Sequence, residues 1–191
     1  MLIKNILLFA LLATAFVSCK SKNEMKDAKL PEESGAMKAG PVADGAEVSP
    51  LAAPDFTVPA LDGGTCTLSA HKGKPVLLEF WSMGCPHCRK MIAELPKIAA
   101  ALPELVIVSV HAGGKGAADQ IKAQFPEKTF PVCLDDGSAR KAYKDLPAPF
   151  KVGGIPHFIL IDAQGQMRRA VVGYRPAAAM IAEIRASGIL E

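Results

Sequence analysis

The sequence is poor in aromatic residues, in net charge and in long apolar runs, and the last two shortages each exclude a class of function. Aromatic residues make up 6% of the 191 residues, with a single tryptophan, and the formal net charge is +3. Such a small positive charge does not indicate the basic surface of a nucleic-acid-binding protein, so we expect no nucleic acid partner. The most apolar run, residues 6–17, is shorter than the roughly 20 residues that a membrane-spanning helix needs. No phosphate-binding loop of the G-x-x-x-x-G-K-[ST] type occurs, because 113-GGKG-116 lacks that spacing.

The amino terminus has the composition of an export signal followed by a tether. Lys4 precedes the uncharged, mostly apolar run at 6–17, which predicts a signal peptide over residues 1–18. Residues 19–52 contain no aromatic residue and no sustained apolar period. Such a segment buries too little apolar surface to offset its conformational entropy, which predicts a disordered tether at 19–52 and one folded domain at 53–191.

The end of the predicted signal peptide carries a cysteine. The stretch 16-FVSC-19 resembles a bacterial lipobox, although phenylalanine stands where leucine is typical. The resemblance implies that Cys19 becomes the first mature residue and carries lipids, which would make the protein an extracytoplasmic, membrane-anchored lipoprotein facing the periplasm. Several acyl chains anchor a protein stably where one chain is marginal. The alternative is an ordinary signal peptide in which Cys19 is incidental.

The remaining four cysteines divide into a close pair and a distant pair. Cys85 and Cys88 are separated by two residues, a spacing that suits a redox pair or half of a metal site. Export would place Cys66 and Cys133 in a compartment where disulfides persist. They form a bridge if their Cα atoms come within about 7 Å, and otherwise remain two buried free thiols.

The hydrophobic pattern of residues 53–191 alternates between strands and helices. Short apolar segments flank 62-DGG-64, which predicts a β-hairpin. Apolar residues from Met91 to Leu102 recur at helical spacing, and Pro96 is expected to kink that helix. We predict strands at 56–58, 65–68, 76–80, 105–110, 130–134, 157–161 and 169–173, and helices at 91–102, 117–125, 138–146 and 176–186. This order predicts an α/β fold with a mixed central sheet flanked by helices and an N-terminal β-hairpin.

Several separated motifs point to a known family. They are 53-APDF-56, 73-GKPVLLEFW-81 leading into C-P-H-C, 130-FPVCLD-135 and 153-GGIPHFILID-162. Together they resemble the thioredoxin-like fold, and more narrowly the TlpA/ResA-type extracytoplasmic thiol–disulfide oxidoreductases. The resemblance implies disulfide exchange with cysteines of exported proteins through a redox-active Cys85–Cys88 disulfide. It implies no cofactor beyond that pair, and a membrane-embedded protein as redox partner.

The two residues between the cysteines leave the direction of electron flow open. C-P-H-C is the pattern of the oxidant DsbA and favours oxidation or isomerisation, whereas the TlpA/ResA-like motifs favour a reductant, for example of apocytochrome c. A helix beginning at Cys85 would stabilise its thiolate by roughly 0.3–1 kcal/mol. Pro86 starts a helix well, and His87 would add to this stabilisation as a cation or an N–H donor. A stabilised thiolate makes the disulfide a stronger oxidant. The alternative is that His87 is exposed and has no role.

Glu79 is the candidate proton carrier. It lies in the predicted strand 76–80 among apolar residues, where burial would raise its pKa. A carboxyl group of this kind exchanges protons with Cys88, which is expected to be the shielded, resolving cysteine. The resemblance also implies an acidic residue at this position. The alternative is an exposed glutamate at a strand edge.

The resemblance further implies a substrate-binding surface beside the cysteines. It implies that Trp81 forms an apolar platform for substrate, and the alternative is core packing. It also implies a cis peptide bond before Pro156, with the proline facing the cysteine pair. Ile155 would then offer its backbone to an extended segment of the substrate, in the manner of an added β-strand.

A metal-binding function competes with the redox function. Cys85, Cys88 and a histidine would be soft ligands for copper, with His87, His111 and His157 as the available histidines. A proline packed over the cysteines would crowd out a metal, and no second C-x-x-C provides a zinc site. We therefore expect no metal, and a copper or other metal-binding chaperone of thioredoxin fold is the alternative function.

Overall fold

The computed structural model describes residues 51–126 and 128–191. The predicted signal peptide, the predicted lipid site Cys19 and most of the predicted tether lie outside the described residues. Within the described part of the chain, no helix is long and apolar enough to cross a membrane.

The domain is built from strands and helices in alternation. The strands are β1 (Leu51–Ala52), β2 (Thr57–Pro59), β3 (Thr65–Thr67), β4 (Val76–Trp81), β5 (Val106–His111), β6 (Val132–Leu134), β7 (His157–Ile161) and β8 (Gln166–Val172). The α-helices are α1 (Pro86–Ile92), α2 (Leu95–Ala101), α3 (Ala118–Gln124), α4 (Ser138–Lys144) and α5 (Ala177–Ala186). Short 3₁₀ helices cover Leu68–His71 and Gly114–Ala117.

One mixed sheet organises the fold. It has six strands in the order β1-β8-β7-β4-β5-β6. β5 runs parallel to both β4 and β6, whereas β7 runs antiparallel to both β4 and β8. β2 and β3 pair with each other as a separate hairpin. The predicted mixed sheet, flanking helices and N-terminal hairpin are therefore confirmed.

The amino-terminal edge of the sheet differs from the prediction. The sequence assigns residues 51 and 52 to the tether, whereas in the structure they form β1, which pairs with β8 through Leu51 and Met167. The edge of β8 offers unpaired backbone groups, and an added strand satisfies them whatever its own side chains are. The folded domain therefore includes both residues.

The sheet is covered on both faces, which is why β4 is buried at every position. A first core layer contains Leu77 and Trp81 and packs against α1, α2, α3 and α5. A second core layer contains Leu78 and Phe80 and packs against α4 and the hairpin. Successive side chains of a strand point to opposite faces, so Glu79 shares the face of the first core layer.

The predicted helix over 91–102 is divided into α1 and α2 at Ala93 and Glu94. Pro96 has no N–H to donate and would clash inside a continuous helix. It lies instead in the first turn of α2, where that N–H is not needed. The expected interruption at this proline is confirmed.

Cys66 and Cys133 form a disulfide that ties the hairpin to β6, with Cα atoms 5.5 Å apart. Both residues belong to the second core layer. Of the two alternatives that the sequence leaves open, a bridge or two free thiols, the structure has the bridge.

Candidate active site

The close cysteine pair lies where β4 ends and α1 begins. Cys85 caps the helix, and its Sγ accepts a hydrogen bond from the backbone N–H of Cys88 at 3.3 Å. Pro86 takes the first helical position, where its missing N–H removes no helical bond. Both cysteines are free, Cys85 partly exposed and Cys88 fully buried. The pair thus presents one sulfur to solvent and keeps the other a turn behind it.

Cys88 is held in the thiol form. Burial is the main cause that raises the pKa of Cys88, to about 12. The hydrogen bond with Cys85, the charge of Cys85 and the charge of Glu79 act in the same direction. At neutral pH this sulfur is therefore not a nucleophile unless a base takes its proton.

Glu79 is the carboxyl group whose charge acts on Cys88. It is fully buried, and its Oε2 accepts a hydrogen bond from Ser109 Oγ at 3.0 Å. Its Oε1 has no hydrogen-bond partner among the described residues. Burial raises the pKa of Glu79 to about 8, although the bond from Ser109 opposes the shift. The predicted burial and raised pKa are confirmed, and the alternative of an exposed strand-edge glutamate is wrong.

Ser109 is a site residue that the sequence analysis misses. The parallel register of β4 and β5 places it directly beside Glu79. Its hydroxyl is fully buried with the rest of the side chain. In the sequence, Ser109 is visible only as one serine inside the apolar run 105–110. Its place in the site becomes apparent only from the register of β4 and β5, which sets it beside Glu79.

Ile155 and Pro156 close the site from the carboxyl-terminal half of the chain. The peptide bond between them is cis, as the resemblance implies. The Ile155 carbonyl oxygen lies 3.7 Å from Cys85 Sγ, within reach of the thiol hydrogen. Gly173 donates its backbone N–H to the Pro156 oxygen at 2.8 Å, which holds the segment against β8. The structure therefore brings Ile155 beside the cysteine that faces solvent.

The structure contradicts the role expected of Trp81 and shows no contact that supports the role expected of His87. Trp81 is fully buried in the first core layer, with its ring 4.7 Å from the His111 ring in an edge-to-face arrangement. A side chain without exposed surface cannot be a platform for substrate, so that expectation is wrong and the core-packing alternative holds. His87 is exposed, and no hydrogen bond joins it to either sulfur within the described residues.

The loop before Cys85 is fixed through Met83. Arg89 Nη1 donates a hydrogen bond to the Met83 carbonyl oxygen at 2.7 Å. His111 Nε2 lies 3.0 Å from the Met83 amide, and its Nδ1 lies 2.9 Å from the Gly113 amide. A neutral imidazole accepts at one nitrogen, so the ring binds one of these amides at a time. Burial lowers the pKa of His111, which keeps the ring neutral and able to accept.

The structure does not gather the histidines around the cysteines. His157 is buried, and neither ring nitrogen has a partner among the described residues. The described residues contain no group of three or more histidine, cysteine, aspartate and glutamate side chains that could hold a metal ion. The groups that do converge are two thiols, one carboxyl group and one hydroxyl group, which suit thiol and proton chemistry.

A family model and two solved structures are similar to this chain. The model of the AhpC/TSA family matches residues 51–170. A crystal structure assigned to the thiol:disulfide interchange protein DsbE of Chlorobium tepidum is 30% identical, with a TM-score of 0.62, over 72% of this chain and 96% of that one. The exposed lipoprotein thioredoxin Etrx1 of Streptococcus pneumoniae is 26% identical, with a TM-score of 0.56, over 70% of this chain and 99% of that one.

A curated relative carries a similar name. The thiol–disulfide oxidoreductase ResA of Geobacillus kaustophilus is 29% identical to this chain. The match covers 63% of this chain and 67% of ResA.

Proposed function

The chain belongs to the AhpC/TSA family, and we propose that its Cys85–Cys88 pair carries two electrons to disulfides of exported proteins. The chain is a thiol–disulfide oxidoreductase of thioredoxin-like fold, which needs no cofactor beyond the cysteine pair. One observation carries the assignment of roles: Cys85 is partly exposed at the start of α1, and Cys88 is buried one turn behind it.

The first step is an attack by Cys85. Its thiolate attacks one sulfur of a substrate disulfide, forms a mixed disulfide and releases the other substrate sulfur as a thiolate. The Cys88 thiolate then attacks Cys85 Sγ, which forms the Cys85–Cys88 disulfide and releases the second substrate thiolate. The substrate gains two electrons, and the cysteine pair loses two.

The second step needs a proton acceptor, and Glu79 fits that role. In the mixed disulfide Cys85 is uncharged, so its charge no longer helps to raise the pKa of Cys88. The pKa of Cys88 then falls toward that of Glu79, which burial has raised to about 8. A small gap between the two pKa values makes proton transfer from Cys88 to Glu79 feasible. The unpaired Oε1 is the oxygen available to receive the proton.

The contacts of Cys85 favour the reducing direction. Its sulfur has one N–H donor, from Cys88, and faces the carbonyl oxygen of Ile155, which opposes negative charge. His87 is an exposed side chain, and no hydrogen bond joins it to either sulfur within the described residues. Few hydrogen-bond donors at the reactive sulfur make the dithiol a better electron donor. The Pro-His dipeptide of C-P-H-C alone favours the opposite direction. The proposed reducing direction therefore rests on the contacts of Cys85.

Substrate recognition is assigned to the backbone near Cys85. Ile155 is partly exposed, and its carbonyl oxygen already lies beside the reactive sulfur. An extended segment of a substrate protein would pair with this backbone as an added strand and place its own sulfur next to Cys85. Such recognition suits many sequences, because backbone groups are common to all of them.

We also propose that the protein is an extracytoplasmic lipoprotein anchored through Cys19, facing the periplasm. The composition of residues 1–18 supports export, and the Cys66–Cys133 disulfide is of a kind that persists in oxidising compartments. The name of its pneumococcal relative, an exposed lipoprotein thioredoxin, supports the same arrangement. An exported reductant must be re-reduced from inside the cell, so its redox partner is assigned to the membrane.

Trapping the mixed disulfide tests these roles. Cys88→Ser retains the attacking thiol and removes the resolving one, so the variant should accumulate a covalent adduct with insulin. Non-reducing electrophoresis followed by mass spectrometry of the adduct would locate the bond at Cys85. Cys85→Ser is the control and should form none. An equal yield of adduct from Cys85→Ser would overturn the assignment.

A further inference from the structure

A groove with a basic lining opens beside the active site. It has a volume of about 630 Å³ and lies between α4, residues 151–153 and Ala112. Its cationic side chains are Arg140, Lys141, Lys144 and Lys151. We call this feature the basic groove.

The positive charge of the basic groove is only partly offset by neighbouring side chains. All four cationic residues are exposed, and none forms an ion pair with an acidic side chain of the described residues. Two carboxylates also line the groove. Asp135 is buried and accepts backbone N–H bonds from Gly137, Ala139 and Arg140, so its charge is directed into the start of α4. Asp145 is exposed, and the lining as a whole has a net charge of +2.

The basic groove adjoins the place where a substrate would lie. At one rim, Ala112 donates its N–H to the Trp81 carbonyl oxygen at 2.9 Å, at the end of the strand that leads to Cys85. At the other rim, Gly153 precedes Ile155 by two residues, a distance of at most about 7 Å along the chain. The Ile155 oxygen is in turn 3.7 Å from Cys85 Sγ. A chain bound beside Cys85 therefore reaches the groove within a few residues.

We propose that the basic groove binds an acidic segment that flanks the reactive cysteine of the substrate protein. The proposal rests on the proposed function and names its substrate class. An extended chain advances about 3.3 Å per residue. We place these carboxylates about three to six residues from the substrate cysteine, which corresponds to roughly 10–20 Å of extended chain. Charge complementarity of this kind raises the rate of encounter more than it raises the final affinity.

The shape of the basic groove favours a peptide over a membrane surface. A concave space admits an extended segment, whereas a bilayer is flat on this scale. Binding to a membrane surface also uses exposed apolar side chains that enter the bilayer. Among the described residues the one exposed large hydrophobic side chain is Val172, which does not line the groove.

The test compares matched peptides reacting with the reduced full chain. Each peptide has one cysteine, blocked as a disulfide with 2-mercaptoethanol, and aspartate, asparagine or lysine at three to six residues on both sides. The rate of disulfide exchange is measured for each peptide at low and high salt. The aspartate peptide should react at least about tenfold faster than the lysine peptide at low salt, and the difference should shrink at high salt.

Two double variants locate the effect. Lys141→Glu/Lys144→Glu should abolish or invert the ratio between the aspartate and lysine peptides. Lys72→Glu/Lys74→Glu changes the net charge equally at the opposite end of β4 and should keep the ratio. Rates are expressed relative to the asparagine peptide, so a general loss of activity does not imitate a loss of selectivity.

Four results would overturn the proposal. Equal rates for all three peptides would show that the basic groove does not select acidic substrates, and would leave the proposed oxidoreductase function intact. An equal loss of selectivity in both double variants would indicate net charge alone. Binding to anionic vesicles that depends on Lys141 and Lys144, without any peptide preference, would assign the groove to a membrane surface. Absence of reaction with every peptide would instead contradict the proposed thiol–disulfide exchange, and the proposal for the basic groove would fail with it.

Discussion

Cys66 and Cys133 lie in the core layer on one side of the sheet, whereas Cys85 and Cys88 lie at the end of β4 beside the other core layer. The first pair joins the hairpin to β6 and is buried at both ends. The second pair begins a helix, and one of its sulfurs is partly exposed. A pair of cysteines therefore forms a structural cross-link in one place and a reactive site in the other.

The difference lies in what each pair can reach. Cys85 has an N–H donor and access to solvent, and Glu79 lies close enough for its charge to raise the pKa of Cys88. Cys66 and Cys133 are packed among apolar side chains of the second core layer. A disulfide becomes reactive when a thiolate can approach it and when a proton can be supplied or removed. Position in the fold, rather than the spacing of the cysteines, decides between the two roles.

Removing the nucleophile is expected to have the largest effect. In Cys85→Ser the hydroxyl does not ionise at neutral pH, so the reduction of insulin disulfides should fall to the uncatalysed rate. The matched control, Cys66→Ala/Cys133→Ala, should keep its activity per folded molecule. If both variants lost activity equally, the distinction between the two pairs would fail. Insulin turbidity measured beside circular dichroism separates activity from folding.

The pH dependence of stability isolates the buried carboxyl group beside the reactive pair. The pKa of Glu79 rises from 4.5 to about 8 on folding, so the folded chain retains a proton that the unfolded chain releases between these values. The contribution of Glu79 to stability is therefore fully present below the unfolded pKa and is lost as pH rises toward about 8, by at most about 5 kcal/mol.

Glu79→Gln removes this titration and is the matched comparison. Urea unfolding at a series of pH values should show that the difference between the two proteins changes over that window. Histidine titrations occur in both proteins and cancel in the difference. A constant difference between pH 4.5 and 8 would show that Glu79 does not titrate as assigned.

Removing the structural pair is expected to lower stability without altering the redox chemistry. The bridge closes a loop with a sequence separation of 67 residues. A loop of that length corresponds to about 4 kcal/mol of chain entropy in the unfolded state. Cys66→Ala/Cys133→Ala should lose roughly this free energy of unfolding in urea. Its reduction potential at Cys85–Cys88 should equal that of the parent, and a changed potential would mean that the two pairs are coupled.

The smallest expected effect concerns Ser109. Its hydrogen bond lowers the pKa of Glu79, so Ser109→Ala should raise that pKa further. One buried hydrogen bond to a charged group is worth about 1.5–3 kcal/mol, which corresponds to a shift of about one to two pH units. The rate at which the mixed disulfide resolves, followed against pH, should shift its midpoint upward. Ser109→Thr retains the hydroxyl and should restore the parent midpoint, whereas a lower overall rate with an unchanged midpoint would indicate a merely structural role.

Much of the fold is predictable because its signals are local. The apolar run at 76–80, the cysteine spacing and the proline at 96 each specify their own neighbourhood. The sequence does not predict a strand at residues 51 and 52, because a two-residue strand is defined by the edge of β8 rather than by its own side chains.

The contacts inside the site are less predictable because they join distant segments. Ser109 meets Glu79 only through the register of β4 and β5. His111, considered as a metal ligand from sequence, instead lies beside the Met83 amide in the loop before Cys85. For Trp81 the sequence leaves a substrate platform and core packing as alternatives, and only the structure shows that α1 and α3 cover its side of the sheet. Burial by other elements cannot be derived from the residue itself.

The reduction potential of the Cys85–Cys88 pair, measured in the full chain by equilibration with glutathione, tests the central claim most directly. The contacts of Cys85, one N–H donor and one facing carbonyl oxygen, predict a value near that of thioredoxin, about −270 mV, or lower. Such a value would establish a two-electron donor to exported disulfides. A value near that of DsbA, about −120 mV, would contradict the account and would mean that the pair accepts electrons from its substrates.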